Sequence, residues 1–202
     1  MAGELPPGIV ALPVTAPLWT RVFTVAPLVL VATRDEHGVD DIAPKHMAIP
    51  LGWDSFFCFV CSPRHTTYAN AAARGCFTVS YPGPEATLIA GLAASPREPD
   101  ASKPALAALD TFAATAVDGV LVAGCVLYLE CELDRTVDGF GENSLVIGRV
   151  VAAAALADAV RDPERDDADV VYARPLLAYL HPGRAATIKE TTSFPYPVGF
   201  RY

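Results

Sequence analysis

The sequence predicts a mainly β fold, an antiparallel barrel with helical insertions. Short apolar runs bounded by Gly, Pro, Asn and Asp recur along most of the chain, the pattern of many short strands. Helical spacing is confined to a few short segments. Strands and helices do not alternate, and no Gly-rich fingerprint follows the first strand, which argues against a doubly wound parallel sheet.

Each element follows from local residues. Pro6, Pro7, Pro13 and Pro17 mark an irregular N-terminal arm. Residues 28–33 read as a strand closed by a turn at 35–38, and residues 39–43 return as the second half of a hairpin. Residues 41–47 are then expected to leave the sheet, because Pro44 has no N–H for a ladder. Residues 55–61 are apolar on both faces, which predicts a central strand. A short helix over 70–75 follows, stopped by Gly75, and then a strand at 76–80 ended by Pro82 and Pro84. Residues 85–94 and 104–113 carry Ala and Leu at helical spacing, separated by a Pro- and charge-bearing connection at 95–103. Strands resume at 120–122, 125–133 and 145–153. Residues 158–169 read as an exposed acidic excursion, residues 176–180 as a last strand turned at 181–184, and residues 194–202 as an extended aromatic tail.

At 202 residues, 52% hydrophobic and 19% charged, the chain is large and apolar enough for one domain, 1–202, with a full core. No repeat or long linker divides it. A net charge of −8 argues against nucleic acid or an anionic membrane as partner, so any phosphate must be met in a local pocket. Residues 1–7 lack the basic and apolar regions of a signal peptide, and the apolar run at 22–32 is too short to span a bilayer. A cytoplasmic protein is expected. The five cysteines are not spaced as a disulfide framework. Cys58 and Cys61 form a C-x-x-C, but three positions apart in a strand they face opposite sides, which defeats both a metal chelate and a redox dithiol. With Cys76, Cys125 and Cys131 they read as small buried residues.

The stretch Ser62-Pro63-Arg64-His65-Thr66-Thr67-Tyr68-Ala69-Asn70 carries the most chemistry. A strand here turns into a helix start, where the first N–H groups lack intrahelical partners and the helix dipole adds positive potential. Hydroxyls and one guanidinium converge there, which suits a phosphate monoester. An ordinary N-cap, with Thr66 or Thr67 capping and Arg64 solvated, fits the same residues. No Ser or Cys stands with a base at a spacing that argues for hydrolase chemistry.

Three motifs together resemble the flavin reductase-like family of FMN-binding split β-barrels, over about residues 27–184. They are Gly38-Val39-Asp40-Asp41-Ile42-Ala43-Pro44; Arg64-His65-Thr66-Thr67-Tyr68-Ala69-Asn70 with Gly75-Cys76-Phe77-Thr78-Val79; and Gly141-Glu142-Asn143-Ser144-Leu145-Val146-Ile147-Gly148-Arg149-Val150. The resemblance implies an FMN whose phosphate is bound by Arg64, Thr66 and Thr67, with Ser62, His65 and Asn70 nearby. It implies that Ala43, Pro44, Lys45, His46 and Met47 run along the isoalloxazine edge, where Lys45 is the candidate cation for a reduced ring. His37 and His181 have no implied role. Three departures stand out. Asp41 replaces a common Asn and would repel an anionic flavin unless it points elsewhere. Lys45-His46 replaces a common aromatic–Ser pair. Asn143 occupies the place of a His on the nicotinamide or flavin side. The implied activity is an NAD(P)H-dependent flavin reductase passing electrons to free flavin, a partner oxygenase or a small acceptor, in a homodimer with the flavin at the subunit interface. Trp19, Trp53 and the tail are candidates for that contact. The alternatives are an FMN-holding, flavoredoxin-like electron carrier without a nicotinamide site, and a flavin-free barrel with a structural role.

Overall fold

The computed structural model describes residues 5–99 and 102–199. The first four residues, Asp100 and Ala101 of the expected connection, and residues 200–202 of the expected tail lie outside them. In chain order the elements are β1 (Thr24–Pro27), β2 (Val29–Arg34), β3 (Asp40–Lys45), β4 (Ala48–Pro50), β5 (Phe56–Cys61), α1 (Thr66–Arg74), β6 (Cys76–Pro82), α2 (Thr87–Ala93), β7 (Thr111–Ala113), β8 (Val120–Val122), β9 (Cys125–Phe140), β10 (Asn143–Ala155), α3 (Asp167–Ala173), β11 (Leu176–His181) and β12 (Arg184–Ile188).

A seven-stranded sheet in the order β3-β2-β6-β9-β10-β5-β4 forms the body, and every pairing in it is antiparallel. Its outermost strands, β3 and β4, are joined by only His46 and Met47. Three peptide units reach at most about 11 Å, so the sheet must curl until its edges nearly meet. The result is a half-barrel whose split is bridged by residues 45–48. A second sheet, β1-β11-β12, stands beside it, and β7 pairs with β8 as a small hairpin. Among the described residues no helix is long and apolar enough to cross a membrane.

Two buried clusters hold the sheet. Val29 and Val31 enter one with Phe57, Phe59, Phe77 and Val146, while Leu30 and Ala32 enter the other with Ile42, Ala90, Leu121 and Tyr128. Successive residues of β2 thus point to opposite faces, both dry, which is why the strand reads as an unbroken apolar run. Helix α1 gives Ala71 to the first cluster, and α2 with β8 covers the second. The five cysteines are free thiols, and Cys61 joins the first cluster while Cys58 lies on the other side of β5.

The fold corrects several expectations. Residues 41–45 stay in the sheet, with Pro44 opposite Leu30, because β3 is an edge strand and the missing N–H faces no neighbour. Strand β5 is next to an edge, not central; its apolar second face leaves Phe56 and Val60 half-buried. Helix α1 starts at Thr66, and its N-cap is His65, which makes no side-chain cap bond. Gly75 ends it as expected, in the left-handed region at φ 69°. The segment 104–113 is a 3-10 turn over Pro104–Ala108 followed by β7, where cross-strand pairing with the buried β8 overrides helical spacing. The acidic excursion contains the start of α3, capped by Asp166 through the N–H of Ala168. Strands β1, β4 and β12 were not expected; β9 starts at Cys125 as expected but runs on to Phe140, and β10 extends the expected 145–153 at both ends.

Candidate functional site

The strand-to-helix transition keeps its first turn open. The hydroxyl of Ser62 accepts from Arg64 N, which bends the chain so that α1 begins at Thr66. No described residue accepts from the backbone N–H of Thr66 or Thr67. Those donors open on a cavity of about 580 Å³, a volume typical of small-molecule sites. One wall is the end of β3, with Ala43, Pro44 and Lys45; another is the start of α1, with Arg64, His65, Thr66 and Thr67. A third comes from the end of α2 and the connection after it, including Arg97 and Lys103.

Electrostatics on this cavity are set by one buried carboxylate. Asp41 accepts from the Thr67 hydroxyl at 3.1 Å and is ion-paired with Arg97. It lines the cavity beside Ala43, and Arg97 matches its charge inside the protein. Thr67 is 2% exposed as a whole residue, and its hydroxyl is spent on this bond. Lys103 donates to the carbonyls of Ile42 and Ala93, and burial pushes its ammonium below the ordinary lysine value while Asp41 pulls it back up. Arg64 is well exposed at the mouth and lies 3.4 Å from Glu142. Lys45 Nζ donates to Cys61 Sγ at 3.4 Å, and that sulfur contacts His65 Nδ1 at 3.8 Å.

Seven of the residues singled out in the sequence thus meet on one cavity: Ala43, Pro44, Lys45, Arg64, His65, Thr66 and Thr67. Others fall elsewhere. Asn70 is buried and donates to Thr33 of β2, fastening α1 to the sheet. Ser62 and Asn143 line a separate space of about 220 Å³ on the far side of Arg64. His46 is not among the lining residues of the cavity; it stacks on His181, with ring centroids 5.1 Å apart, and meets the tilted ring of Tyr179 at 4.6 Å. His46 Nε2 and His181 Nδ1 are buried without a partner, and burial, then His181, then Lys45 hold His46 below the ordinary imidazole value. Met47 is exposed in the bridge across the split. Sequence reasoning missed Arg97 and Lys103; the only signal was their place in the charged connection at 95–103.

The cavity fits a phosphate-bearing ligand: free helical N–H groups, cations on three walls and a carboxylate already neutralised. The flavin reductase like domain matches residues 22–181. Among solved structures, the chain resembles nitrilotriacetate monooxygenase component B from Bacillus cereus, at TM-score 0.79 and 18% identity, covering 94% of this chain and 100% of that one. It resembles flavoredoxin of Desulfovibrio vulgaris at 0.75 and 19%, covering 95% and 100%. An FMN-binding protein from Thermus thermophilus matches at 0.75 and 18%, covering 92% and 99%. Among curated proteins, no sequence matches this chain. The domain match spans most of the sequence and the structural likeness spans nearly all of it, so the chain belongs to the flavin reductase-like family, with its split-barrel fold.

Proposed function

We propose that the protein is an FMN-binding oxidoreductase, an NAD(P)H-dependent flavin reductase that passes electrons to free flavin, a partner oxygenase or a small acceptor, working as a homodimer with the flavin at the subunit interface. The observation that carries this reading is the uncapped first turn of α1 opening, beside Arg64, on a cavity whose other rim is Lys45. Bound FMN supplies hydride acceptance at its N5 and electron release to an acceptor, chemistry that requires no acid or base from the protein. The chain's own work is binding and electrostatics. The N–H groups of Thr66 and Thr67 and the Arg64 guanidinium hold phosphate. Lys45, steadied by Cys61 Sγ, keeps a positive charge at the β3 edge, where negative charge on a reduced ring is stabilised.

Titration of flavin-free protein with FMN, followed by flavin fluorescence and then by nicotinamide oxidation, tests the reading. FMN is expected to bind, and NADH or NADPH to be consumed only when it is present. Arg64→Ala is expected to weaken FMN binding about tenfold, about 1.4 kcal/mol, the low end for a charged hydrogen bond at an exposed site. Unchanged affinity in that variant removes the phosphate assignment. A second reading, an FMN-holding electron carrier, is favoured by Asn143, which lines a different space from Lys45. Protein that holds FMN but oxidises neither nicotinamide selects it.

A further inference from the structure

The bridge across the split is fastened to the second sheet by aromatic rings. His46, between β3 and β4, stacks on His181 of β11 with centroids 5.1 Å apart and planes 18° apart. Its ring also meets Tyr179, two residues before His181 on the same face of β11, at 4.6 Å. Tyr179 is itself tied down, since its hydroxyl accepts from Gly183 N at 2.9 Å. The residue before His46 is Lys45, which lines the cavity and donates to Cys61 Sγ. The ring stack therefore fixes the backbone that carries Lys45. His46 is a positioning residue for the site, although it does not line the cavity.

The stack suits uncharged rings only. His46 Nε2 and His181 Nδ1 are buried with no hydrogen-bond partner. A proton added to either ring makes both of its nitrogens donors, and the buried one would then be a charged group facing no acceptor. The titratable groups around His46 are Lys45 on its own bridge and Tyr179 and His181 on β11, none of them a carboxylate. Strand β1, which packs against β4 and pairs with β11, brings Thr24, Val25, Ala26 and Pro27, none of them ionisable. Strand β12 brings Arg184, exposed and opposite Leu180. Burial, then His181, then Lys45 depress His46 from 6.5 while it is stacked. A released ring is returned to water and takes its proton near the ordinary imidazole value. The stack is thus complete above about pH 6.5 and weakens as pH falls below it.

We propose that His46 and His181 form a proton-sensitive clamp: in mild acid the stack opens, the bridge at 45–48 comes free of β11, and the cavity loses its fixed Lys45 and with it flavin affinity. The link to flavin rests on the reading above; the clamp itself does not.

The test joins two measurements on wild-type protein, His46→Phe and His181→Phe, each at about pH 7.5 and about pH 5.5, on either side of the ordinary imidazole value. Phe keeps a ring to stack and has no nitrogen to protonate. Hydrogen exchange of flavin-free protein, corrected for the intrinsic effect of pH on the rate, reads the clamp. Amides of residues 45–50 and 176–181 are expected to lose about tenfold in protection in wild type at the lower pH and to keep it in the variants. Fluorescence titration with FMN reads the site. The FMN phosphate titrates near pH 6 and His65 lines the cavity, so every protein loses some affinity in acid. Wild type is expected to lose about tenfold more than either variant, the linkage of one proton over about one pH unit. Equal acid sensitivity of exchange in wild type and variants overturns the clamp. Exchange that separates them while FMN affinity falls in parallel overturns its coupling to the cavity. If FMN binds at neither pH while exchange behaves as expected, the clamp stands and the flavin reading falls. If FMN binds and neither measurement separates wild type from the variants, the flavin reading stands and the clamp falls. Should one variant fail to fold by circular dichroism, the other carries the same comparison.

Discussion

At the scale of single residues, the site is governed by what each polar group has already spent. The Thr67 hydroxyl looks like a phosphate ligand in sequence, but in the fold it donates to buried Asp41. Thr67→Val keeps the shape and removes that bond, so it is expected to cost about 2 kcal/mol of stability, as for a hydrogen bond to a charged acceptor. FMN affinity is expected to change far less than in Arg64→Ala. Urea unfolding and flavin titration on the same variant separate the two roles, and an FMN loss with stability intact returns the hydroxyl to the phosphate. His46 carries a pH dependence of definite sign. Burial, His181 and Lys45 depress it from 6.5, so in the window below about pH 6.5 the unfolded chain binds more protons than the native one. Stability from this group is therefore full above that value and is lost as pH falls through the lower native value. The depressed carboxylates Asp35, Asp118, Asp167 and Glu130 start from 3.8 or 4.5 and fall lower, beneath this window. The melting temperature is expected to fall between about pH 7 and about pH 5 more steeply in wild type than in His46→Gln. Parallel slopes in the two proteins refute the assignment.

At the scale of elements, strand spacing explains a residue whose importance shows in sequence only as part of a motif. Gly148 of β10 pairs with Phe57 and Leu133, and a Cβ placed on it would lie 2.5 Å from the Phe77 ring and 3.0 Å from Cys131 Cβ. The ring cannot retreat freely, since it meets Phe59 edge-on with centroids 5.1 Å apart. Gly148→Ala is thus expected to destabilise by about 1–3 kcal/mol through overpacking, read as a lower urea midpoint with an unchanged slope. A midpoint equal to wild type means that the sheet relaxes around the methyl group. The same contrast explains what could be read beforehand. Strand β2, its turn, the start of β5 and the Gly75 stop of α1 depend on neighbours in sequence, so apolar runs and turn residues reveal them. Strand β1 owes its existence to a partner far along the chain, with Thr24 opposite His181, whereas β4 and β12 are short strands whose composition carries no alternation, held by pairing with β5 and β11. Local pattern cannot supply that. The cavity divides likewise: its β3 and α1 walls lie at the ends of legible elements, whereas Arg97 and Lys103 reach it only because α2 folds back over β3.

At the scale of the whole molecule, surface area argues for a second copy of the chain. A folded monomer of 21.3 kDa is expected to expose about 9,100 Å². This chain exposes 12834 Å². The excess is larger than the share that one chain contributes to an obligate dimer interface, about 1,000–2,500 Å², so a partner can cover much of it and the extended arms account for more. Part of its apolar surface lies together: Trp19, Phe23 and Val25 are exposed on one segment and Ile49, Leu51 and Trp53 on another, and β1 lies against β4 where the two segments meet. Edge strand β4 adds unpaired backbone to the same region. These segments flank the bridge at Lys45 to Ala48, so a partner seated there would also stand beside the proposed flavin edge. Light scattering after gel filtration is expected to give twice the chain mass. Trp53 is 89% exposed in the single chain, so Trp53→Asp removes no core packing; a charge there is expected to shift the protein toward monomer and to weaken FMN binding in the same concentration range. A wild-type monomer, or a monomeric variant with full FMN affinity, separates the flavin site from the interface.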